Sequence, residues 1–334
     1  MSTKHTMVTL AFALGAWPVL ADENRPNPGS FKVQTVEGEW KDAARDSRSV
    51  LWKCYLPQEI NHKSPVVLYS HGGGGNRHSN EMLGRHLASH GFAALHIQHE
   101  GSDDRAVRQN FRALRSVNDP KASEPRFRDI AFVVETIKNA KDIGELKGRL
   151  DTSRIGISGH SFGGLTCQVV AGQIVDGYQQ QLAVPDLRGA FILSPSPARR
   201  RYGTNAKSFQ KMLMPMFSVT GTADSAPDRS FSAADRRIPF DRTSSVDQWL
   251  LVLNGASHFT TSGQKERPWV ARFIPGMQDD PNLEENHARI RAAALAFWRM
   301  VLLNDDDSRR YLNSGEFKEY VGQHAVFEFK PTNR

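Results

Sequence analysis

Arg154-Ile155-Gly156-Ile157-Ser158-Gly159-His160-Ser161-Phe162-Gly163-Gly164-Leu165 decides how the chain is read. A short apolar run, Ile155 to Ser158, leads through Gly159-His160-Ser161-Phe162-Gly163 into helix-forming residues. Gly-x-Ser-x-Gly between a strand and a helix predicts a nucleophile elbow. On so sharp a turn the serine backbone is strained and its hydroxyl stands clear of the sheet edge. Gly159 and Gly163 leave room where the strand end and the helix start crowd together. The helix N-terminus directs free N–H groups at negative charge developing there. By composition alone the pattern arises in roughly one chain in ten of this length, so the flanking sequence has to decide.

Upstream, Phe31 to Val36 and Val50 to Tyr55 read as early strands. Pro65 to Ser70 is an apolar run ending in His71-Gly72-Gly73-Gly74-Gly75, which suits a buried parallel strand entering a glycine loop. A helical pattern ends near Gly91, and Phe92 to Ile97 is the next strand. Phe111 to Leu114 and Asp129 to Ile137 are helical, as is Phe162 to Ile174 after the elbow. Strands follow at Gly189 to Leu193, Met216 to Val219 and Gln248 to Leu253, and a helix at Asn286 to Leu303. This alternation predicts an α/β fold, a mostly parallel twisted sheet with helices on both faces. Right-handed crossovers place the parallel strand C-termini along one edge, where such sheets bind ligands.

A nucleophilic serine needs a base, an acid that orients the base, and donors for the oxyanion. In an α/β hydrolase they occur in the order Ser, Asp or Glu, His. The strand at Met216 ends in Thr220-Gly221-Thr222-Ala223-Asp224, and the strand at Gln248 ends in Asn254-Gly255-Ala256-Ser257-His258. Asp224 and His258 are therefore the expected partners of Ser161, with Asp228, Asp235 and Asp241 as rival acids. His160 is expected to pack beside the nucleophile, and His287 and His324 lie on or after the last helix. The oxyanion donors are expected to be the backbone N–H groups of Phe162 and Gly73. Glycine at 73 lets the backbone approach the substrate oxygen with no side chain between them.

Seven of the 12 histidines lie between His62 and His99, so a metal site has to be weighed. His86 and His90 are four apart, but Leu87 stands where a zinc protease carries its glutamate. His96 and His99 would point to opposite faces of a strand. No carboxylate or cysteine set completes a ligand pattern, and neither a metal nor a cofactor is expected.

The 334 residues hold an ample core, with 39% hydrophobic and 24% charged residues and no solenoid repeat. The net charge of +7 is mildly basic, with arginines at 105, 108, 112 and 115 and at 199, 200 and 201. Aromatic interleaving and known binding modules are missing from these stretches, so they read as solvated faces and no nucleic-acid partner is expected. Lys4 and His5 precede an uncharged stretch from Met7 to Leu20 that closes in Val19-Leu20-Ala21. That predicts a signal peptide over residues 1–21, cleaved after Ala21, and a periplasmic or secreted protein with no integral membrane segment thereafter. Residues 22–30 read as a linker, 31–312 as the catalytic domain and 313–334 as a C-terminal tail; a monomer is expected. Cys54 and Cys167 are expected as separate buried thiols, although one bridge could form in an oxidising compartment.

His71-Gly72-x-Gly-Gly, Gly-His-Ser-Phe-Gly-Gly, Gly-Thr-Ala-Asp and Ala-Ser-His-Phe together resemble the α/β-hydrolase superfamily. More narrowly the chain resembles the exported bacterial "predicted dienelactone hydrolase" group, which is similar to the type II platelet-activating-factor acetylhydrolases. Ala44 to Arg48, Arg128-Asp129-Ile130, Gly148 to Ile155 and Phe297-Trp298 carry the likeness over roughly residues 31–312. It implies Ser161, Asp224 and His258 as a triad, Gly73 and Phe162 as oxyanion donors, and a serine carboxylic-ester hydrolase. Ser161 stands where dienelactone hydrolases proper have cysteine. A similar Gly-Ala-Ser-His-Phe segment occurs in cutinase-like polyesterases, which usually have Met after the serine and an aromatic oxyanion loop. The resemblance implies an ester substrate, small or lipid-like. A lipase or acetylhydrolase, a cutinase-like polyesterase and a non-catalytic binding relative stay open as alternatives. Residues 194–211 and 225–245 are the expected pocket walls, the latter polar and arginine-bearing, which suggests a shallow, wet site.

Overall fold

The computed structural model describes residues 25–139, 143–266 and 274–332. The expected signal peptide and the first residues of the linker lie outside them. The described chain runs β1 (Val33–Asp42), β2 (Arg48–Pro57), β3 (Ser64–Ser70), α1 (Glu81–Ser89), β4 (Ala93–His99) and α2 (Asp104–Gln109). A 3₁₀ segment at Phe111–Asn118 leads into α3 (Pro120–Asn139), β5 (Leu150–His160), α4 (Phe162–Val170) and β6 (Leu187–Leu193). Then come α5 (Asn205–Ser208), β7 (Met216–Ala223), α6 (Ile238–Arg242), β8 (Gln248–Ser257), α7 (Leu283–Leu303), α8 (Asp306–Asn313), α9 (Glu316–Val321) and β9 (Ala325–Lys330).

The strands form one sheet in the order β1-β2-β4-β3-β5-β6-β7-β8-β9. From β4 to β8 the pairing is parallel, and β1, β2 and β9 add antiparallel margins. The fold is the α/β class expected from the alternation of elements. Period-2 alternation splits the central strands between two cores. Val67 and Tyr69 of β3 face the side packed by Leu83 and Leu87 of α1 and by Phe297 and Trp298 of α7. Val66 and Leu68 face the opposite side, with Ile130 and Val133 of α3 and Cys167 of α4. Both faces are covered, which is why these strands read as nearly continuous apolar runs. Cys54 and Cys167 are buried free thiols.

The chain beyond 312 differs from the tail expected there. The boundary falls inside α8, and residues 325–330 form β9, which pairs antiparallel with β8 from Leu253↔Ala325 to Gln248↔Lys330. Phe317 and Phe327 join the α7 core. Their burial against Phe217 couples the end of the chain to the middle of the sheet.

Candidate active site

Four of the expected site residues lie just past the C-terminal ends of neighbouring parallel strands or open the next helix. Ser161 follows β5, Asp224 follows β7, His258 follows β8, and Phe162 opens α4. Gly73 is three residues past β3. The sheet thus gathers groups up to 185 residues apart, Gly73 to His258, on one edge.

Ser161 has φ 57° and ψ −113°, the strained turn expected of an elbow. Its N–H donates to Leu193 O at 3.0 Å, tying the turn to β6. The crossing is so close that a methyl group on Gly163 would lie 1.8 Å from Ser70 O, and one on Gly159 2.5 Å from Gly163 O. Only glycine fits at either place.

Ser161 Oγ lies 2.9 Å from His258 Nε2, and His258 Nδ1 lies 2.8 Å from Asp224 Oδ1. The tautomer with hydrogen on Nδ1 satisfies the carboxylate and leaves the Nε2 lone pair facing the serine hydroxyl. Asp224 Oδ2 accepts from Ser194 Oγ at 2.6 Å and Thr220 Oγ1 at 2.9 Å. The rival acids are engaged elsewhere: Asp228 with Arg199, Asp235 with Ser232, Asp241 with Arg237. His160 donates from Nε2 to His258 O at 3.1 Å and packs its ring 4.5 Å from that of His258. Burial, and then the neighbouring His258, keep His160 well below the ordinary histidine range.

Sequence reading missed Arg236. Its side chain, 2% exposed, reaches behind the triad, with Nε 2.8 Å from Asp224 Oδ1 and Nη2 2.9 Å from His258 Nδ1. Nη1 donates to Ser194 O at 3.0 Å and Pro195 O at 2.9 Å. Guanidinium only donates, so its approach to a protonated Nδ1 is a charge contact and not a hydrogen bond. Burial would raise Asp224, but the charges of Arg236 and His258 hold it below the usual carboxylate range. Burial lowers His258; the Asp224 charge and hydrogen bond oppose that, and Arg236 adds to it. The arginines of residues 225–245 were expected to line a shallow, wet site. Arg236 turns inward because these buried acceptors need a donor.

A second arginine, Arg126 of α3, links the start of the glycine loop to the start of α4. Its Nη2 donates to Ser70 Oγ at 2.9 Å and to His71 O, and its Nε to Thr166 Oγ1 at 2.8 Å. Thr166 Oγ1 donates in turn to Phe162 O at 2.9 Å, and the Arg126 guanidinium lies 4.4 Å from the Phe162 ring centroid. Gly74 N–H donates to Ser102 O and Gly75 N–H to Gly72 O, while Gly73 lines the cavity above Ser161. As the first residue of α4, Phe162 offers an N–H that no preceding helical turn accepts.

Three buried histidines, His71, His96 and His99, brace this loop. His71 Nε2 accepts from the His99 N–H at 3.0 Å, so Nδ1 carries the proton and donates to Gly72 O at 2.6 Å. His99 bonds Ser70 Oγ at 3.0 Å and Asp129 Oδ2 at 3.0 Å, a second Ser–His–Asp relay with no exposure. Arg48 Nε caps it at 2.8 Å from Asp129 Oδ1. His96 meets Ser79 O at 3.0 Å and stacks on Tyr69.

The cavity over Ser161 holds about 570 Å³, in the size range of small-molecule sites. Its apolar wall is Phe111, Leu114 and Val117 of the 3₁₀ segment with Ile274 and Met277. Arg199, Pro227 and Asp228 come from the loops expected as walls. The site is thus more apolar and more enclosed than the arginine-bearing loop suggested.

The platelet-activating factor acetylhydrolase, isoform II, family profile matches residues 111–181, which include the 3₁₀ wall and the elbow. The chain has the α/β-hydrolase fold and is related to that superfamily. It is 28% identical over 233 residues to cutinase est1 of Thermobifida alba, covering 66% of this chain and 64% of the relative. Cutinase 1 of Thermobifida cellulosilytica is 26% identical over 267 residues, 75% of this chain and 86% of that one. The platelet-activating factor acetylhydrolase of Cavia porcellus is 30% identical over 140 residues, 33% of this chain and 32% of its own length. Against two of these three, the chain spans less than two thirds of the relative. No helix among its described residues is long and apolar enough to cross a membrane.

Proposed function

We propose that the chain is an exported serine carboxylic-ester hydrolase working through an acyl-enzyme. The observation that carries this reading is the hydrogen-bonded series Ser161–His258–Asp224 at the floor of an apolar cavity. His258 takes the Ser161 proton as Oγ attacks the ester carbonyl, and Asp224 holds the tautomer and stabilises the imidazolium. The Phe162 and Gly73 N–H groups bind the tetrahedral oxyanion; one such donor is typically worth about 10²–10³ in rate. His258 then returns the proton to the departing alcohol, and water repeats the attack to free the acid. Kinship to cutinases and to an acetylhydrolase supports ester bonds as the target.

A chain-length series of p-nitrophenyl esters, acetate to dodecanoate, tests the reading. Turnover of short and medium acyl chains with a pre-steady-state burst is expected, and no turnover of any member would refute it. Cutinase-like action on polyester is the second reading, favoured by the extent of the Thermobifida matches. Release of soluble acid from polyester film would establish it.

A further inference from the structure

The cavity above Ser161 does not end at its apolar wall. Arg115, Asn118 and Asp228 line both it and an adjoining groove of about 960 Å³, which Arg112, Arg200 and Arg201 also line. The two carboxylates of this groove are already paired. Asp228 Oδ2 lies 3.0 Å from Arg199 Nη1, and Asp119 Oδ2 lies 2.8 Å from Arg201 Nη1. Burial would raise Asp228, but the Ser230 hydrogen bond and Arg199 bring it to about 2, so it stays ionised and held.

Among the described residues, Arg112, Arg115 and Arg200 have no carboxylate partner. Arg112 and Arg115 are three apart on a 3₁₀ segment, where side chains at that spacing eclipse, so they stand on one side. Arg200 reaches the same groove from the loop after β6. Two separate parts of the chain therefore bring unmatched guanidinium groups to one groove that adjoins the Ser161 cavity. A neutral ester would gain nothing from them. The planar fork of arginine matches a carboxylate or a phosphate.

We propose that this groove is an anion subsite. The substrate is an ester whose non-reacting end carries a carboxylate or phosphate, held by Arg112, Arg115 and Arg200 while the scissile carbonyl sits at Ser161. This deepens the esterase reading and rests on it.

The full chain is assayed on matched pairs at low and high ionic strength. One pair is p-nitrophenyl pentanoate against mono-p-nitrophenyl glutarate; the other is phenyl butanoate against 4-(butanoyloxy)phenyl phosphate. In at least one pair the anionic member should have kcat/KM at least about tenfold above its neutral partner at low salt. The ratio should shrink as salt screens the charges. The pair that shows it identifies carboxylate or phosphate. Arg112→Gln with Arg200→Gln, neither of which lines the Ser161 cavity, should lower the ratio, and adding Arg115→Gln should erase it. Labelling of each variant by a neutral fluorophosphonate checks that the fold and the nucleophile persist. Equal or poorer turnover of both anionic esters, or a ratio unmoved by the triple substitution, overturns the subsite and leaves the esterase reading standing. No hydrolysis of any ester together with no fluorophosphonate labelling overturns both.

Discussion

Arg236 Nε stands 2.8 Å from Asp224 Oδ1, with the guanidinium 2% exposed and the carboxylate fully buried. A buried carboxylate is costly unless it is paired and hydrogen-bonded. Here Arg236, His258, Ser194 and Thr220 all meet it. The same guanidinium disfavours a positive charge on His258, opposing the help that Asp224 gives.

The sign of the pH dependence follows. Burial and Arg236 lower His258 below its ordinary value near 6.5, so the base stays neutral, and the acid limb of kcat/KM lies on the acid side of that value. The charges facing the imidazole are Asp224 and Arg236, with Arg199 farther off and neutral His160 against its ring. Arg236→Gln removes a lowering influence, and the acid limb should move to higher pH; Arg236→Lys should move it less. A pH profile of kcat/KM for a short p-nitrophenyl ester reads this directly. An unmoved limb in Arg236→Gln would show that the guanidinium only packs.

Arg126 makes a different prediction. It fixes the His71 carbonyl on one side of the proposed oxyanion hole and, through Thr166, the start of α4 on the other. Arg126→Gln should lower kcat by about 10²-fold or more, as loss of an oxyanion donor does, with a smaller change in KM. Thermal unfolding of the variant separates this from global collapse. A KM effect alone would contradict the assignment.

Acid stability gives a third. His96 and His99 are held at about 3 by burial, and His90 at about 4. Their folded values lie below the unfolded one, so the unfolded chain binds more protons as pH falls. The stability they contribute is complete above about pH 6.5 and is lost from there down through pH 3–4. Each pH unit in that window costs up to about 1.4 kcal/mol per buried histidine. Urea midpoints should fall steeply between pH 6.5 and 4; a flat midpoint would mean the histidines are not kept neutral.

The site was legible where its residues sit next to strand ends. Ser161, Asp224 and His258 each follow a strand by one position, so local pattern and chain order place them together. Arg236 and Arg126 were not legible, because an arginine's direction is set by buried acceptors far along the chain. The acceptors of Arg236 include Ser194 O, 42 residues away, and those of Arg126 include His71 O, 55 away. The same distance hid β9. Ala325–Lys330 alternates like a half-buried strand, but its partner β8 lies beyond three intervening helices. The role of the histidine-rich stretch was not legible because sequence shows residue type without partners. In the fold, His71, His96 and His99 are braces under the glycine loop.

The most direct test of the account is fluorophosphonate labelling of the full chain, with mass mapping of the modified peptide, beside Ser161→Ala. Labelling at Ser161 in the parent chain and none in Ser161→Ala is predicted, with p-nitrophenyl butanoate turnover lost and the unfolding temperature retained. Undiminished turnover in a folded Ser161→Ala, or labelling at another serine, would contradict it.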